Sequence, residues 1–538
     1  DMTWDCARAM THALRVQWNN APALAVMGGA LADNKNYSLA IPVLEKGLKM
    51  HPGDLYARAN LVLSLLWSCQ WDRSEVHGAA FAEQLRQGIE GDLKSFPSPA
   101  HMLFPLGAPP NGLPLPLYRK WVDLWAAEMT ERIRPDLFQA TMPSPAPGPK
   151  ERLRLGYVSG AGFQKSPGSS AIRGIFALHD RRKFEVQCFA LKPDLRSNDL
   201  RGNISAACDR FYELGNIRDN QALAGEINRA RPHIIVDVTG FSGDHRIKML
   251  AHRPAPCSLT WLEYPGTLGA ATGMDGLLTD RVASPPEYQL IYSEKLLQVP
   301  TPYLPNDYYA TVRIPPLSQT PLSPERRTFC ALHHVWKMDS QVFSVWMDVL
   351  KAVPDSTLRL QECAPLAQEA LRRLAAQQGV DPGRLDFNPR IGDYYEHVDK
   401  LGACSLFLDA PRYNAHTSAA DALWAGVPVI TLPFAMMVHR GAACLCDAHG
   451  VTSSVVRDMD DYRRLALRLA THGKEIEAVR TAMRERRESS RLFDIPRWTR
   501  RFEEGVGMFI EGKMAGLGRH TSGFGPGSMH VVVREPGA

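Results

Sequence analysis

Short apolar runs ending in Gly, Pro or Asp recur through the middle of the chain: LRLGYVSG, FEVQCFAL, HIIVDVTG, CSLTWLEYPG and DGLLTD. Helix-like stretches such as NQALAGEINRARP separate them. Apolar runs this short, bounded by turn residues and alternating with amphipathic segments, predict a parallel, doubly wound sheet. After an irregular stretch near 301–326 the pattern repeats as RTFCALHH, TLRLQEC, LDFNPR, SLFLDA and VPVITLP. The expectation is therefore an α/β protein with two tandem Rossmann-like lobes, 153–305 and 327–513, joined by a connector at 306–326. In open sheets of this kind the ligand crevice lies beyond the carboxyl ends of the strands, so ligand chemistry is expected in a cleft between the lobes.

The first 139 residues are patterned differently. Leu24-x2-Met27-Gly28-x2-Leu31, followed by Ala40-x3-Leu44 and Pro52, matches the 34-residue tetratricopeptide spacing, in which small residues let two helices pack closely. LYARANLVLSLLWSCQWD continues helically with only part of the pattern. An unrelated helical hairpin is the alternative reading. About three repeats are needed for an independent stack, so this TPR-like all-α region must lean on the neighbouring domain or extend a longer array. Residues 140–152, with ATMPSPAPGPK, read as a linker, and the Gly-rich tail 514–538 as a loosely ordered end.

Composition removes whole classes of function. Of 538 residues 45% are hydrophobic and 22% charged, which excludes a mostly disordered or collagenous chain. A formal charge of +5, dispersed along the chain, calls for no nucleic acid but suits a small anionic ligand. No apolar run reaches the roughly 18–20 residues that span a bilayer, and Asp1-Met2-Thr3-Trp4 begins no secretory signal, so neither a membrane nor an exported location is expected. The ten cysteines (Cys6, Cys69, Cys188, Cys208, Cys257, Cys330, Cys363, Cys404, Cys444, Cys446) form no CxxC pair and no zinc-spaced cluster. They read as reduced thiols of a cytoplasmic protein with no metal site.

The segment from Leu406 to Pro433 carries the densest chemistry. FLDA reads as a strand, PRYNAHTS as a polar turn, AADALWAG as a short helix and VPVITLP as the next strand. His416, Thr417 and Ser418 thus stand at a helix start, where unpaired N–H groups and two hydroxyls suit a phosphate, and Asp421 one turn on could accept from a ribose hydroxyl. A plain N-cap is the alternative for Thr417 or Ser418. Lys337 ends a strand-like stretch, where an ammonium can meet a diphosphate as a point charge; a solvated surface lysine is the other reading. His333 and His334 have no partners at metal spacing.

HRPAPCSLTWLEYPGTLGAATGMDGLLTDRVASPPEYQLIYSEKL (252–296) and YNAHTSAADALWAGVPVIT (413–431) resemble, in order, the corresponding motifs of glycosyltransferase family 41, the O-GlcNAc transferases, in the bacterial-type short-repeat form. LRLGYVS, KFEVQCFAL, the lysine of HVWKMD, EHVDKLGACSLFLD and the CQWD and AHMLFPL elements extend the resemblance over most of 20–510. It implies a GT-B fold and inverting, metal-independent transfer of GlcNAc from UDP-GlcNAc, a substrate and not a cofactor, to Ser or Thr hydroxyls of a polypeptide. It also implies roles by position: Lys337 on the diphosphate, His416, Thr417 and Ser418 as the phosphate turn, Asp421 on the ribose, and His397 and Lys400 at the uracil ring. Tyr264, Pro265, Gly266 and Thr267 would form a loop beside the sugar and acceptor, with Asp237 and Thr239 on the acceptor side. For Asp237, a strand-end aspartate capping the next turn is the alternative.

Two positions depart from the family pattern. Ser166 in Phe163-Gln164-Lys165-Ser166-Pro167 stands where the family carries a histidine, and serine is too weak a base at neutral pH without a partner. His334 stands where Gln or Asn is expected. The proton of the acceptor would then go to a donor phosphate oxygen, a water chain or Asp237. Rival readings are a related protein O-fucosyl- or N-glucosyltransferase, the fucosyl branch disfavoured by YPGTLG and by His416, and a catalytically silent UDP-binding scaffold.

Overall fold

The computed structural model describes residues 20–91, 93, 95–99, 112–148, 150–194, 199–311, 327–389, 391–515 and 530–535. Four helices come first: α1 (Ala21–Asp33), α2 (Tyr37–Met50), α3 (Leu55–Trp67) and α4 (Trp71–Glu90), each packed on the next. Tyr37, Ala40, Ile41, Leu44 and Leu48 of α2 meet Ala57, Leu61 and Leu65 of α3 in one apolar cluster. Their three- and four-residue spacing puts them on one helix face. A Cβ on Gly28 would lie 2.4 Å from Leu44, so α1 approaches α2 to a distance that only glycine permits. The AHMLFPL element lies outside the described residues, and α5 (Leu115–Thr130) is the next helix after it.

The first sheet holds β1 (Leu153–Ser159), β2 (Phe184–Ala190), β3 (Arg210–Glu213), β4 (Ile234–Asp237), β5 (Cys257–Thr260), β6 (Gly276–Asp280) and β7 (Lys295–Val299). Helices α6 (Pro167–Ile172) and α7 (Asn220–Arg229) follow β1 and β3. The second holds β8 (Thr328–Ala331), β9 (Thr357–Gln361), β10 (Leu385–Asn388), β11 (Leu406–Leu408) and β12 (Val429–Ile430), interleaved with α8 (Ser340–Ala352), α9 (Pro365–Gln377), α10 (Tyr394–Gly402) and α11 (Thr417–Trp424). Then come α12 (Met459–Thr471), α13 (Ile495–Met514) and β13 (Val531–Val532).

The strand orders are β13-β7-β6-β5-β4-β1-β2-β3 and β10-β9-β8-β11-β12, with all pairs parallel. In each sheet the chain builds outward on one side of its first strand and then crosses to the other. The reversal, between β1 and β4 and between β8 and β11, opens a crevice at the carboxyl ends of those two strands, because their outgoing loops leave in opposite directions.

Two compact units result: Asp1–Trp121 with Pro316–Ala435 and Ser453–Ala482, and Val122–Pro315 with Met436–Thr452 and Met483–Ala538. These cuts differ from the boundaries drawn on the sequence. The first division falls inside α5 and not in the Pro-rich stretch: Trp121 packs edge-on to Phe81 at 6.0 Å, whereas Trp125 packs on Phe241 at 4.9 Å. Residues 436–452 and 483–513, read as part of the 327–513 lobe, belong with the first sheet. There Trp498 of α13 stacks on Trp261 at 5.0 Å and donates its indole N–H to the Pro302 carbonyl at 2.8 Å. An amphipathic pattern announces that a helix has a buried face, but not which sheet that face covers.

Two further expectations are corrected. Cys188 is bonded to Cys208 and Cys330 to Cys404, so these four are not thiols; Cys6 lies outside the described residues. The register that places Cys330 beside Phe407 brings Cys404, two residues before β11, within reach, a proximity that cysteine spacing along the chain cannot reveal. The tail is not loose throughout: within 514–538, residues 516–529 lie outside the described residues, but Val531 and Val532 pair with Leu297 and Gln298 of β7. Val533 is buried and donates its N–H to the Gln298 carbonyl at 2.9 Å. Glu535 pairs with Arg497 at 2.5 Å and Arg501 at 3.2 Å. The open edge of β7 selects this β-branched triplet because it offers a row of unpaired backbone groups. Among the described residues no helix is long and apolar enough to cross a membrane.

Deleting residues 530–538 uncovers that edge and one buried valine, worth about 1–2 kcal/mol. The expected outcome in a thermal melt is a Tm lower by roughly 2–8 °C, with increased aggregation on holding near the transition.

Candidate functional site

In the second sheet, the strands flanking the reversal deliver the polar groups. β8 leads through a short 3-10 turn, Val335–Lys337, to the N-cap Asp339 of α8, and β11 leads through Asp409 to the turn before α11. Asp409 is fully buried: Oδ1 accepts from the N–H groups of Ala410 at 2.8 Å and Ala415 at 2.7 Å, and Oδ2 from the Thr431 hydroxyl at 2.6 Å. Burial nevertheless pushes its pKa up to about 7, with these hydrogen bonds and Lys337 acting in the opposite direction. The carboxylate thereby shapes the loop that carries Tyr413 to Ser418.

Lys337 keeps partial access to solvent, but protein atoms crowd its ammonium, and this desolvation lowers its pKa to about 8 against the attraction of Asp409. Nζ lies 3.9 Å from the ring centroid of Tyr413 and 5.3 Å from that of Trp336, a cation–π seat that holds the charge in place. The neighbouring His333 donates from Nε2 to the Leu408 carbonyl at 3.1 Å; burial first, and then Lys337, lower its pKa to about 3, so it is neutral. Arg412 fixes the same loop through Asp339 at 2.7 Å.

His416 is the residue before α11, without a side-chain cap on that helix, and its ring lies 5.2 Å from that of Tyr413. Thr417 and Ser418 form the first turn and are partly exposed, so the helix start expected there is present with two partly exposed residues that carry hydroxyls. Asp421, on the same helix, is buried and receives the Tyr394 hydroxyl on Oδ1 and His397 Nε2 at 3.3 Å on Oδ2. The structure thus joins His397 and Asp421, read from separate motifs, and adds Tyr394. Lys400 is not drawn in: it is exposed and paired with Glu396 at 2.7 Å. His334 is exposed too, its ring 5.5 Å from Trp67 of α3 and 6.3 Å from Trp336.

In the first sheet, the reversal between β1 and β4 gathers a different set. Asp237 accepts the N–H groups of Thr239 at 3.2 Å and Gly240 at 2.8 Å, so the turn-capping alternative describes its geometry, and burial raises its pKa to about 7. Gly240 is required there: its φ is +58°, and a Cβ would lie 2.5 Å from Tyr264 Cβ. Thr239 sits at the same strand end. It is buried, and its hydroxyl accepts the Gly160 N–H at 2.8 Å, tying the loops after β1 and β4 together. Tyr264, Pro265, Gly266 and Thr267 are buried in a turn locked by Thr267, which donates to Glu294 at 2.6 Å.

Ser166 caps α6 by accepting the Ser169 N–H at 3.1 Å, and its hydroxyl lies 3.5 Å from Oε1 of Glu263. Burial raises the pKa of Glu263 to about 7, with the Ser166 hydrogen bond opposing and Asp244 adding to the shift. Sequence reasoning passed over Tyr394, Tyr413, Asp409 and Glu263. Three of them carried a signal: Tyr394 stands one turn before His397, Asp409 ends the FLDA strand, and Glu263 immediately precedes Tyr-Pro-Gly-Thr. Among the described residues no three His, Cys, Asp or Glu side chains converge as metal ligands.

The family model for glycosyl transferase family 41 matches residues 137–319 and 314–502. A probable UDP-N-acetylglucosamine--peptide N-acetylglucosaminyltransferase, SEC, of Arabidopsis thaliana is 30% identical over 82% of this chain and 46% of its own length. The UDP-N-acetylglucosamine--peptide N-acetylglucosaminyltransferase of Caenorhabditis elegans is 24% identical over 68% of this chain and 41% of its own. The chain therefore spans less than half the length of these relatives. A lysine-to-methionine mutant of the O-GlcNAc transferase of Thermobaculum terrenum has the same fold, with a TM-score of 0.72 and 25% identity over 95% of this chain and 94% of that one. A helical region followed by two parallel α/β sheets is the GT-B glycosyltransferase architecture, and with more than half of its residues matched by the family model, the chain belongs to glycosyl transferase family 41.

Proposed function

We propose that this chain transfers GlcNAc from UDP-GlcNAc to Ser or Thr hydroxyls of polypeptides, with inversion and in the cytoplasm. The observation that carries the reading is the seat of Lys337: an ammonium held 3.9 Å from the Tyr413 ring centroid, in the reversal crevice of the sheet whose next outgoing loop starts the Thr417 helix. A diphosphate is the anion such a crevice suits, because a cation and the free N–H groups of a helix start belong to the same strand ends. The printed names of the relatives, which specify UDP-N-acetylglucosamine and a peptide, support the same donor and acceptor.

In this mechanism the acceptor hydroxyl attacks the anomeric carbon from the face opposite the diphosphate, and negative charge gathers on the departing β-phosphate. Lys337 and the Thr417–Ser418 turn meet that charge as it develops, so they act more strongly on the transition state than on bound donor. With a pKa of about 8 the lysine is largely protonated at neutral pH, and an adjacent diphosphate would raise its proton affinity further. Asp421, oriented by Tyr394 and His397, holds the ribose. The charge on the leaving group is met by protein groups, and the scheme assigns no role to a divalent ion.

Lys337→Met is expected to lower transfer turnover by about 10²–10³-fold, measured by sugar incorporation into a Ser/Thr peptide library, with a smaller effect on UDP affinity. The same substitution tests the burial of the charge. Because the folded-state pKa lies below 10.5, folded protein binds fewer protons than unfolded protein between about pH 8 and 10.5, so the ligand-free wild type should gain stability across that window. Melts of the Met variant should lack this rise and show a higher Tm at pH 7. Asp421→Asn should weaken UDP binding by about 10–100-fold in calorimetry, the loss of a charge-assisted hydrogen bond, with turnover at saturation less affected.

A further inference from the structure

We propose that Trp67, the last residue of α3 in the helical region, is a positioning residue for Lys337. Its ring backs the Trp336 ring on which the ammonium is seated, in an aromatic row that continues through Tyr413 to His416. The inference rests on the transfer reading above and extends its site into the helices, to which that reading assigns nothing.

The row lies within one compact unit. Tyr37, the first residue of α2, stacks on Trp67 with ring centroids 5.8 Å apart and planes inclined by 11°. Trp67 in turn meets Trp336 at 6.2 Å and 57°, and Trp336 meets Tyr413 edge-on at 5.2 Å. Lys337 Nζ is held over these last two rings, 5.3 Å from the Trp336 centroid and 3.9 Å from that of Tyr413. The rings that seat the charge are therefore flanked by the repeat on one side and by His416, at 5.2 Å from Tyr413, on the other. The adjacent helix makes a second grip. Trp71 and Glu75, one turn apart, share a face of α4: Trp71 packs on Phe343 of α8 at 5.4 Å, and Glu75 reaches Arg412 at 3.5 Å. Helix α3 thus bears on the loop that carries Lys337, and α4 on the loop that carries Tyr413.

The physical reason is the softness of the lysine stem. Four carbons with free rotation leave an ammonium wherever its neighbours put it, so a point charge is only as well placed as the surfaces it lies on. Trp336 and Tyr413 are such surfaces, but both are partly exposed, and each can turn unless something packs behind it. Trp67 is that support for Trp336, and it is itself fixed by the stack with Tyr37 and by packing against the α2–α3 apolar cluster. Charge on the departing phosphate grows only in the transition state, so a displaced ammonium costs rate more than it costs affinity for the ground state. The helices α2 and α3 therefore act on the chemistry through one ring, without touching the nucleotide.

The test measures kcat with UDP-GlcNAc and a Ser/Thr peptide library, and UDP affinity by calorimetry, on the full chain. It compares wild type, Trp67→Ala, Trp67→Phe, Lys337→Met and the double variant Trp67→Ala with Lys337→Met. Trp67→Ala is expected to lower kcat by about 10–100-fold while UDP affinity stays within about threefold, and Trp67→Phe, which keeps a flat ring, to return kcat to within about threefold of wild type. In the Lys337→Met background Trp67→Ala should cost no more than about twofold further, because no ammonium is left to position. Should Trp67→Ala fail to fold in a thermal melt, Trp67→Leu, which keeps an apolar side chain against the α2–α3 cluster, decides by the same comparison. A folded variant without the ring whose kcat stays within about threefold of wild type, or which loses the same factor in both backgrounds, overturns the positioning role. Loss of turnover in Lys337→Met then leaves the transfer reading intact. If Lys337→Met matches wild type, or wild type transfers nothing, the transfer reading fails and this inference with it.

Discussion

A positive charge kept in a place that disfavours it is the constraint around which the second sheet is organised. The Lys337 ammonium is crowded by protein atoms, faces the Tyr413 ring and feels the buried Asp409 carboxylate, itself held by two backbone N–H groups and the Thr431 hydroxyl. Neither partner neutralises it by a direct ion pair, and such a charge is costly until an anion arrives. The surrounding loop is correspondingly over-determined: Arg412 grips the α8 cap, and Tyr462 donates its hydroxyl to the Asp409 carbonyl at 2.8 Å. A loop held this firmly need not reorganise when charge develops beside it.

The first sheet uses the same strand reversal for a different purpose. Where β8 and β11 present a cation, β1, β4 and β5 present two acids, buried Asp237 and partly exposed Glu263, both with proton affinities raised by desolvation. One is consumed in holding a turn. The other meets the Ser166 hydroxyl at the start of α6. A single topological device therefore gathers a cation in one unit and two acids in the other, and the side chains at the strand ends decide which.

Much of this was legible in the chain. Apolar runs of strand length alternating with amphipathic segments indicated both sheets, because burial on two faces demands such runs wherever they fall. Lys337, His416, Thr417, Ser418 and Asp421 could be named because strand-end and helix-start positions follow from local pattern. The surroundings of Thr239, His334 and Lys400 were not legible, since a side chain's direction depends on its neighbours: a backbone N–H claims Thr239, the Trp67 and Trp336 rings flank His334, and Glu396 pairs with Lys400.

What the sequence determined by itself was local: period, turn chemistry, capping, and the ordered motifs shared with family 41, all set by residues within a few positions of one another. What only the tertiary structure decided were the meetings of distant residues. These include Tyr394 and His397 on the two oxygens of Asp421, Glu263 beside Ser166, Cys330 joined to Cys404, and the tail valines on β7. The reason is that sheet register and helix packing are set by the summed burial of whole faces, and no short stretch of chain contains that sum.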